Sequence, residues 1–484
     1  MFIGREQELN FFEDKYNSPG GQLVVLCGRR RIGKTEILHK FCESKPHVFY
    51  SCREVSDTKQ LMAFNDRLSK SGVPAIKYSP VFGEWEAAIK SILEMPTEGK
   101  KKLLIIDEFP YMCKGNPSIP SILQILWDEE LKNQEVMIVL CGSAMNFIEK
   151  KLLSEKNPLY GRTTGIYKMT EMPFYDAIKF FPYYSDEDKM LAYAILGGIP
   201  HYLRQFDPTL SLQENIIKNV LTKGCSLYNE VEFLIRQELR EPAFYNTVIE
   251  AIALGNTKLN DIYMKTQIDR AKISVYLKNL IELQILEREF SVLSSNKEQA
   301  TSTRGLYRIT DNFFRFWFSF VFSNLSDLEN NDAAGVFTYS VLPHINDFAA
   351  PVFEIVCREF IREKSRKGEL IFRVSKLGRW WGRLNQKIQT DNGKSKIVSV
   401  DTEIDIVAFD AKSKNYILGE CKFKNSEMDT SELNRLKEKA SVIRKDAFVE
   451  YALFSKSGFT KGLVRQTKED KAIKLFSLSD IIKG

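Results

Sequence analysis

Short apolar segments alternate with amphipathic segments through the first 170 residues. The apolar runs are LVVLC, HVFYSC, LLIID, VMIVLCG and GIYKM, and amphipathic stretches such as KTEILHKF lie between them. Short apolar runs predict buried strands, and their alternation with helical patterns predicts a parallel sheet covered by helices. We therefore expect an α/β domain over residues 1–170.

The pattern changes three times after this domain. Residues 171–240 show helical periodicity without strand runs and predict a helical lid. Residues 241–325 give three helical segments and two β-rich segments, which is the order of a winged helix-turn-helix, and they end in DNFFRFWFSFVF, a segment that we expect to pack in a core. Residues 326–345 predict a linker, and residues 346–484 alternate helical and strand patterns. The fold class is therefore multidomain α/β.

The composition fits this division and excludes several classes of protein. With 484 residues, 44% hydrophobic and 27% charged, the chain is a globular protein too long for one hydrophobic core. No stretch approaches the roughly 20 apolar residues that cross a bilayer, and the N-terminal residues lack the apolar region of a signal peptide. We expect a cytoplasmic protein with no membrane partner. The eight cysteines include no C-x-x-C pair and predict reduced thiols.

Charge is unevenly distributed along the chain. Residues 341–484 contain 28 Lys and Arg against 20 Asp and Glu, whereas the preceding residues contain 41 against 43. A basic excess favours a nucleic-acid partner for the C-terminal part, although an excess of this size also occurs in proteins that bind none. Within residues 241–325, the third helical segment carries Arg270, Lys272 and Lys278 beside an apolar stripe, and these basic side chains are candidates to meet phosphates. The alternative is contact with a protein, which winged helices also mediate, because the nearby acids Glu282, Glu287 and Glu289 would repel DNA.

A phosphate-binding loop follows the first apolar run. The segment GRRRIGKT matches G-x-x-x-x-G-K-[ST] and opens a helical pattern. Backbone N–H groups of such a loop surround phosphates, Lys34 adds a positive charge and the hydroxyl of Thr35 binds Mg²⁺. The residues predicted to contact the nucleotide are Gly28, Arg29, Arg30, Arg31, Ile32, Gly33, Lys34, Thr35 and Glu36.

Two acids at the end of a neighbouring strand supply the second half of such a site. Asp107 and Glu108 directly follow the apolar run LLII. Asp107 is predicted to hold Mg²⁺ together with Thr35, and Glu108 to polarise the attacking water as a base. Unpaired carboxylates are costly to bury, so a purely structural role for both is disfavoured.

Two further residues are candidates for contact with the γ-phosphate. Ser143 follows the run VMIVLCG and is placed to contact the phosphate or the attacking water; capping the next helix is an equally compatible role. Arg162 lies in the Gly-flanked loop before GIYKM and is a candidate arginine finger, acting within the chain or across a subunit boundary. The alternative for Arg162 is an ordinary solvated arginine.

Four segments together resemble the archaeal-type ATPase family, within the AAA+/STAND branch of P-loop proteins. They are FIGREQEL, GRRRIGKT, LLIIDEF and LGGIPHYL. The resemblance implies ATP as the nucleotide, Ile3 and Arg5 near the adenine, and Pro200 closing over the nucleotide from the lid. It also implies that Ser143 and Arg162 occupy positions that family members use.

The resemblance extends over essentially the whole chain. Many members continue into a winged helix, an aromatic segment like residues 307–317, and a C-terminal domain similar to PD-(D/E)XK nucleases, here residues 346–484. If Phe409 pairs with Tyr416 in a hairpin, Asp405 faces Glu420. Facing carboxylates repel unless a cation bridges them, and Mg²⁺ is the cation that such nucleases use. The predicted nuclease-like site comprises Glu354, Asp405, Glu420 and Lys422.

A plainer explanation of this acidic cluster remains open. The same register places Lys422 opposite Glu403, so part of the cluster is explained equally by a cross-strand ion pair. A nuclease-like fold can also be retained as a DNA-binding scaffold without cleavage.

Two functions follow from these observations. The first is a Mg²⁺-dependent ATP-hydrolysing switch coupled to a DNA-binding, nuclease-like C-terminal domain. The second is a STAND-like signalling or scaffold ATPase whose winged helix and C-terminal domain bind proteins. DNA is the expected partner, and assembly into a homo-oligomer is left open.

Overall fold

The structure is a computed structural model. It describes residues 2–74, 81–143, 155, 157–301, 305–389, 395–412, 414–440, 443 and 447–484. The chain divides into two compact units. The first comprises Met1–Met172 with Ile199–His201, and the second comprises Pro173–Gly198 with Tyr202–Gly484.

The first unit contains a five-stranded sheet. Its strands are β1 (Gln22–Cys27), β2 (His47–Ser51), β3 (Lys102–Asp107), β4 (Val136–Gly142) and β5 (Gly165–Lys168). The order across the sheet is β2-β3-β4-β1-β5, and every neighbouring pair is parallel. The prediction of a parallel α/β sheet over the first 170 residues is confirmed.

Helices cover this sheet because its central strands are apolar on both faces. The helices of the unit before residue 130 are α1 (Glu6–Asn17), α2 (Lys34–Cys42), α3 (Asp57–Lys70), α4 (Trp85–Lys90), α5 (Phe109–Gly115) and α6 (Ile119–Glu129). All six residues of β1 are buried. Leu23 and Val25 join one hydrophobic core and Val24 and Leu26 join the other. Strands β1 and β3 both pair with β4, so the sheet fixes their carboxyl ends on either side of that strand.

The second unit begins with helices and a small antiparallel hairpin. The first helices are α7 (Phe174–Ala177), α8 (Asp186–Leu196), α9 (Pro200–Leu203, which starts in the first unit), α10 (Leu212–Ile216) and α11 (Glu230–Glu238). Then come α12 (Pro242–Ala253), α13 (Leu259–Thr266), α14 (Arg270–Glu282), β6 (Leu286–Glu289), α15 (Asn296–Thr301) and β7 (Leu306–Ile309).

Residues 242–309 form three helices followed by the β6–β7 hairpin, in the predicted order; we call them the helix–hairpin module. Asp269 caps α14 by accepting hydrogen bonds from the backbone N–H groups of Ala271 and Lys272. Ile273 and Leu277 of α14 are buried. Their burial follows from the apolar stripe, and it leaves the polar face of α14 exposed to solvent.

Residues 326–345, which the sequence predicts to be a linker, are helical over most of their length instead. After α16 (Asn312–Phe316) the helical backbone continues to Asn324, followed by α17 (Leu325–Glu329), α18 (Ala333–Val336) and α19 (Ile345–Lys367). Val336, Phe337 and Val341 are buried, and Asp332 caps α18 through the backbone N–H of Gly335. The polar run before residue 332 predicts a linker, but the apolar residues that follow it are buried. The aromatic segment around Trp317 is buried as predicted.

The C-terminal part is a second α/β domain. Its elements are β8 (Lys376–Gln389), β9 (Ser395–Phe409), β10 (Asn415–Lys422), α20 (Thr430–Lys439), β11 (Phe448–Ser455), α21 (Lys461–Glu469), β12 (Ile473–Ser477) and α22 (Leu478–Lys483). The order is β12-β11-β10-β9-β8. Strands β8, β9 and β10 are antiparallel, whereas β10, β11 and β12 are parallel.

The register of β9 against β10 is the predicted one. Tyr416 pairs with Phe409, their rings stack at 5.2 Å between centroids, and the ladder continues to Gly419 opposite Ile406. The next positions along the two strands are Asp405 and Glu420. The hairpin therefore brings the two predicted carboxylates to the same place.

Candidate functional site

The loop between β1 and α2 requires glycine at both ends. A Cβ atom at Gly28 would lie 2.5 Å from the carbonyl oxygen of Met169, which is a severe clash. Gly33 has φ of 90° and caps the start of α2 in the left-handed region that favours glycine. The loop thus follows a buried strand and aims the N-terminal N–H groups of α2 into the space that it encloses, which is the arrangement that binds phosphate.

Lys34 is held inside this loop. Its side chain is buried, and the ammonium donates hydrogen bonds to the carbonyl oxygens of Gly28 (2.9 Å) and Arg29 (2.8 Å). Burial lowers the pKa of Lys34, an effect that the nearby carboxylates of Glu108 and Asp107 oppose. The ammonium is therefore held at the loop by neutral backbone carbonyl groups.

Thr35 and Asp107 meet across two elements. The hydroxyl of Thr35 at the start of α2 donates to Oδ2 of Asp107 at the end of β3, at 2.9 Å. The other oxygen, Oδ1, accepts from the backbone N–H of Glu108 at 3.0 Å. A hydroxyl and a carboxylate that converge in this way form the oxygen donor set that Mg²⁺ prefers. The residues present therefore fit a magnesium ion.

Glu108 is fixed by its backbone and by Ser143. Its φ of 51° is in the left-handed region, which is unusual for a residue with a side chain and turns it away from the strand direction. The hydroxyl of Ser143 donates to both carboxylate oxygens of Glu108, at 2.9 and 3.0 Å. The structure thus brings these two predicted residues together. The alternative role of Ser143 as a helix cap concerns residues 144–150, which lie outside the described residues.

The resemblance-based residues near the N-terminus also reach the loop. Arg5 is buried and donates to the carbonyl oxygen of Ile32 at 3.0 Å, while its other terminal nitrogen pairs with Glu8 at 2.6 Å. Ile3 is partly buried. The ring of Pro200 lies beside Gly33, 3.8 Å from where a Cβ would stand. Arg5 and Pro200 therefore border the loop from two sides.

The remaining predicted residues of the loop lie at its surface. Arg29 and Arg30 are partly buried, and Arg30 donates to the hydroxyl of Tyr111 at 3.4 Å. Arg31 and Glu36 are exposed. Arg31 has φ of 71°, so the loop uses a left-handed residue that is not glycine.

Arg162 is engaged by an aspartate. Its Nε and Nη2 donate to the carboxylate of Asp128 on α6, at 2.7–3.0 Å, and Nη1 donates to the carbonyl oxygen of Pro158. The hydrogen bonds from Arg162 lower the pKa of Asp128. The structure therefore brings Arg162 to Asp128, and none of its hydrogen bonds among the described residues is to the loop at Gly28–Gly33.

In the C-terminal domain, Glu420 is surrounded by cations. Lys422 on the same strand contacts it at 2.5 Å, and Lys439 at the end of α20 contacts its second oxygen at 2.9 Å. Burial raises the pKa of Glu420, but the two ammonium groups outweigh that effect and hold the pKa below its ordinary value. The cross-strand pair of Lys422 with Glu403 is not formed, because Glu403 pairs with Arg379 at 2.8 Å.

Glu354 and Asp405 complete the cluster, and their pKa values are raised, in contrast to that of Glu420. Burial, together with Asp405, raises the pKa of Glu354 to about 7, although Arg379 and Arg358 lie 3.7 Å from its carboxylate. Burial, together with Glu420, raises the pKa of Asp405 to about 6. One oxygen of Asp405 accepts from the backbone N–H of Cys421 at 2.9 Å. The four predicted residues are thus brought into one charged network.

This network does not fit a metal ion in the conformation described. Among the residues that the structure describes, no group of three or more His, Cys, Asp and Glu side chains is arranged to hold one. Positive side chains occupy the neighbourhood instead, from Lys422, Lys439, Arg358 and Arg379.

Comparison with known proteins agrees with the loop geometry. A family model described as an ATPase domain predominantly from Archaea matches residues 2–206. An uncharacterised protein of Methanocaldococcus jannaschii is 32% identical over 483 residues, which is 99% of this chain and 100% of that protein. The chain belongs to the archaeal-type ATPase family. Its P-loop domain is an ATPase domain that binds and hydrolyses ATP.

Further similarities cover different parts of this ATPase. A model described as archaeal and bacterial proteins of unknown function matches residues 317–435. An uncharacterised ATP-binding protein of the same organism is 49% identical over 45 residues, 9% of this chain and 76% of that protein. The Walker-type ATPase of Pyrococcus abyssi superposes with a TM-score of 0.50 and 19% identity, covering 66% of this chain and 96% of that one. This structural likeness shows the fold alone.

Sequence reasoning missed several residues of both sites in this ATPase. Cys141 lies on β4, its thiol is hydrogen-bonded to Asp107, and burial with this carboxylate raises its pKa well above the ordinary value. Its position two residues before Ser143 was an available signal. Lys439 and Arg379 were missed because only the fold brings them to Glu420 and Glu354.

The described residues contain no helix that is both long and apolar enough to cross a membrane. The longest helix, α19, carries charged side chains along most of its length.

Proposed function

We propose that this ATPase is a Mg²⁺-dependent switch whose nucleotide state is coupled to a DNA-binding, nuclease-like C-terminal part. The observation that carries the nucleotide half is the hydrogen bond from Thr35 to Asp107, with Lys34 inside the loop and Glu108 held by Ser143. Five side chains, from the start of α2 and from the ends of β3 and β4, thus converge where a triphosphate would end.

Each residue has a role that follows from its contacts. On nucleotide binding, the ammonium of Lys34 exchanges the loop carbonyls for phosphate oxygens, which are stronger acceptors because they are charged. Thr35 and Asp107 would hold Mg²⁺, which supplies charge stabilisation for the transferred phosphoryl group. Glu108 accepts the proton of the attacking water, and Ser143 keeps the carboxylate aimed.

The test is ATP turnover by the full chain with Lys34→Ala. We expect turnover to fall to the background of buffer alone, since both charge and hydrogen bonds to the phosphates are lost. Lys40→Ala is the matched control, because Lys40 lies on the same helix and its exposed side chain pairs with Glu43. Unchanged turnover in Lys34→Ala would refute the nucleotide half of the proposal.

Arg162 is proposed as an arginine finger that acts after leaving Asp128. Arg162 would leave Asp128 for the γ-phosphate bound in a neighbouring subunit, because that phosphate is a more highly charged acceptor than one carboxylate. A requirement for a second copy predicts that turnover per chain rises with protein concentration. Arg162→Ala should remove that rise, whereas Asp128→Ala should retain it; turnover independent of concentration and of Arg162 contradicts this role.

The helix–hairpin module is proposed to bind DNA as a winged helix. Arg270, Lys272 and Lys278 are exposed on the polar face of α14. The acidic residues of β6 do not cancel this face, because Glu287 pairs with Arg308 and Glu289 pairs with Arg379. Binding of a labelled duplex should weaken steeply with salt, and a combined substitution of the three basic residues by Ala should reduce the salt dependence.

A second candidate is the signalling or scaffold ATPase, in which the C-terminal part binds protein. It is favoured by exposed apolar side chains after α18, where Tyr339 is 80% and Leu342 is 54% exposed. Exposed apolar groups of this size mark protein contact sites when they are contiguous. The duplex experiment separates the two candidates, since the scaffold requires no salt-dependent DNA binding.

A further inference from the structure

Arg379 on β8 joins three elements at the C-terminal carboxylate cluster. Its guanidinium lies 2.8 Å from Glu403 on β9, 3.6 Å from Glu289 on β6 and 3.7 Å from Glu354 on α19. One of these acids belongs to the helix–hairpin module and another to the predicted nuclease-like site. A single side chain therefore ties the module to the site.

The backbone beyond β6 strengthens this tie. Residues 290–293, which we call the latch segment, run beside β8, and the backbone N–H of Val292 donates to the carbonyl oxygen of Arg379 at 2.8 Å. The approach is so close that a Cβ at Gly378 would stand 3.0 Å from Cβ of Val292. Val292, Leu293 and Trp380 pack against the core of the C-terminal domain. The latch segment is thus docked by a hydrogen bond, by shape and by apolar contact.

The consequence for the cluster is electrostatic. A divalent cation beside Glu354 would stand next to the guanidinium groups of Arg379 and Arg358, and the repulsion between like charges is strong where solvent is partly excluded. The acidic motif and the absence of a metal-competent arrangement among the described residues are both explained if the chain's own cations take the place of the ion.

We propose that Arg379 and the latch segment keep the carboxylate cluster closed to divalent cations, and that double-stranded DNA bound by the helix–hairpin module opens it. This inference rests on the proposed nuclease-like function. Opening follows from two contacts. Phosphodiester groups compete with Glu354 for the guanidinium, and a hairpin that moves onto a duplex takes Glu289 and the latch segment away from β8.

The experiment measures Mn²⁺ binding to the full chain by the EPR signal of the free ion, with each variant compared with the same variant carrying Asp405→Asn. The Asp405-dependent part reports the cluster alone. We expect Arg379→Gln to tighten this binding about tenfold, and Glu289→Gln to tighten it less, because it removes one anchor and leaves the guanidinium. A 30-base-pair duplex added to the unaltered protein should have the same effect as Arg379→Gln.

Arg383→Gln is the matched control, since Arg383 lies on the same strand and forms an exposed pair with Asp401. Hydrogen exchange provides a second readout: the N–H of Val292 should exchange faster in Glu289→Gln and in the presence of duplex, with the melting temperature showing that each variant is folded. The latch would be overturned if Asp405-dependent Mn²⁺ binding were equally tight in the unaltered protein, in Arg379→Gln and in Glu289→Gln. That result would leave the proposed metal site standing. No Asp405-dependent binding in any variant would overturn both.

Discussion

Two pairs of carboxylates are held in opposite ways in this molecule. Asp107 and Glu108 receive hydrogen bonds from the hydroxyls of Thr35 and Ser143 and from a backbone N–H, which orient the oxygens without cancelling their charge. Glu420 is paired with the ammonium groups of Lys422 and Lys439, which cancel its charge, and Asp405 lies beside Glu420 in the same network, where burial and Glu420 raise its pKa. Acidic residues of the same type therefore form a site ready for a cation in one domain and a neutralised network in the other.

The largest effect that tests this contrast is loss of the base. Glu108→Gln keeps the hydrogen bonds to Ser143 and removes the charge, so we expect ATP turnover to fall about a hundredfold or more while ATP binding is retained. Turnover and nucleotide affinity measured on the same preparation separate the two. Glu129→Gln, on the exposed face of α6, should leave both unchanged; a Glu108→Gln variant that turns over ATP normally would remove the difference between the two pairs.

The buried acids of the second network predict a pH dependence of stability. Glu354 has its pKa raised from 4.5 to about 7, so the folded state binds more protons than the unfolded chain between these values. Stability contributed at low pH is therefore lost as the pH rises through about 7. Relative to the unaltered protein, the free energy of unfolding of Glu354→Gln should therefore rise by about 2 kcal/mol between pH 5 and pH 8.

Urea unfolding at several pH values measures this difference. Glu363→Gln is its control, because Glu363 lies on the same helix and pairs with Arg366 nearer the surface. An identical pH dependence in Glu354→Gln and the unaltered chain would show that the burial of Glu354 is compensated fully by Arg358 and Arg379, contrary to the raised pKa.

A smaller effect sharpens the description of the first pair. Ser143→Ala removes the two hydroxyl contacts to Glu108 and leaves its charge, so turnover should fall about tenfold, with ATP affinity unchanged. Single-turnover rates measure the chemical step directly. A loss as large as that of Glu108→Gln would mean that Ser143 does more than orient the carboxylate.

Local sequence patterns are sufficient to predict much of this fold and of the site at the Gly28–Gly33 loop. The parallel sheet followed from buried apolar runs, and the facing of Asp405 and Glu420 followed from pairing Phe409 with Tyr416, because strand side chains alternate and a register once set fixes every later pair. The loop at Gly28–Gly33 was predictable because its chemistry lies within consecutive residues.

The parts that were missed depend on contacts between distant residues. Arg379 was unremarkable in sequence because its acids come from β6, α19 and β9, and Lys439 reaches Glu420 only after α20 folds back over the sheet. The helices over 326–345 were missed for a related reason: a polar run is not a linker when buried residues such as Phe337 and Val341 follow it. Tertiary context, rather than local propensity, decides these cases.

The most direct test of the central claim compares one aspartate from each pair. Mg²⁺-dependent ATP turnover is measured in Asp107→Asn and Asp405→Asn, with the melting temperature showing that both variants are folded. We predict that Asp107→Asn loses turnover and that Asp405→Asn retains it. Turnover that survives in Asp107→Asn, or that is lost equally in Asp405→Asn, would contradict the assignment of the ATP site to the first pair alone.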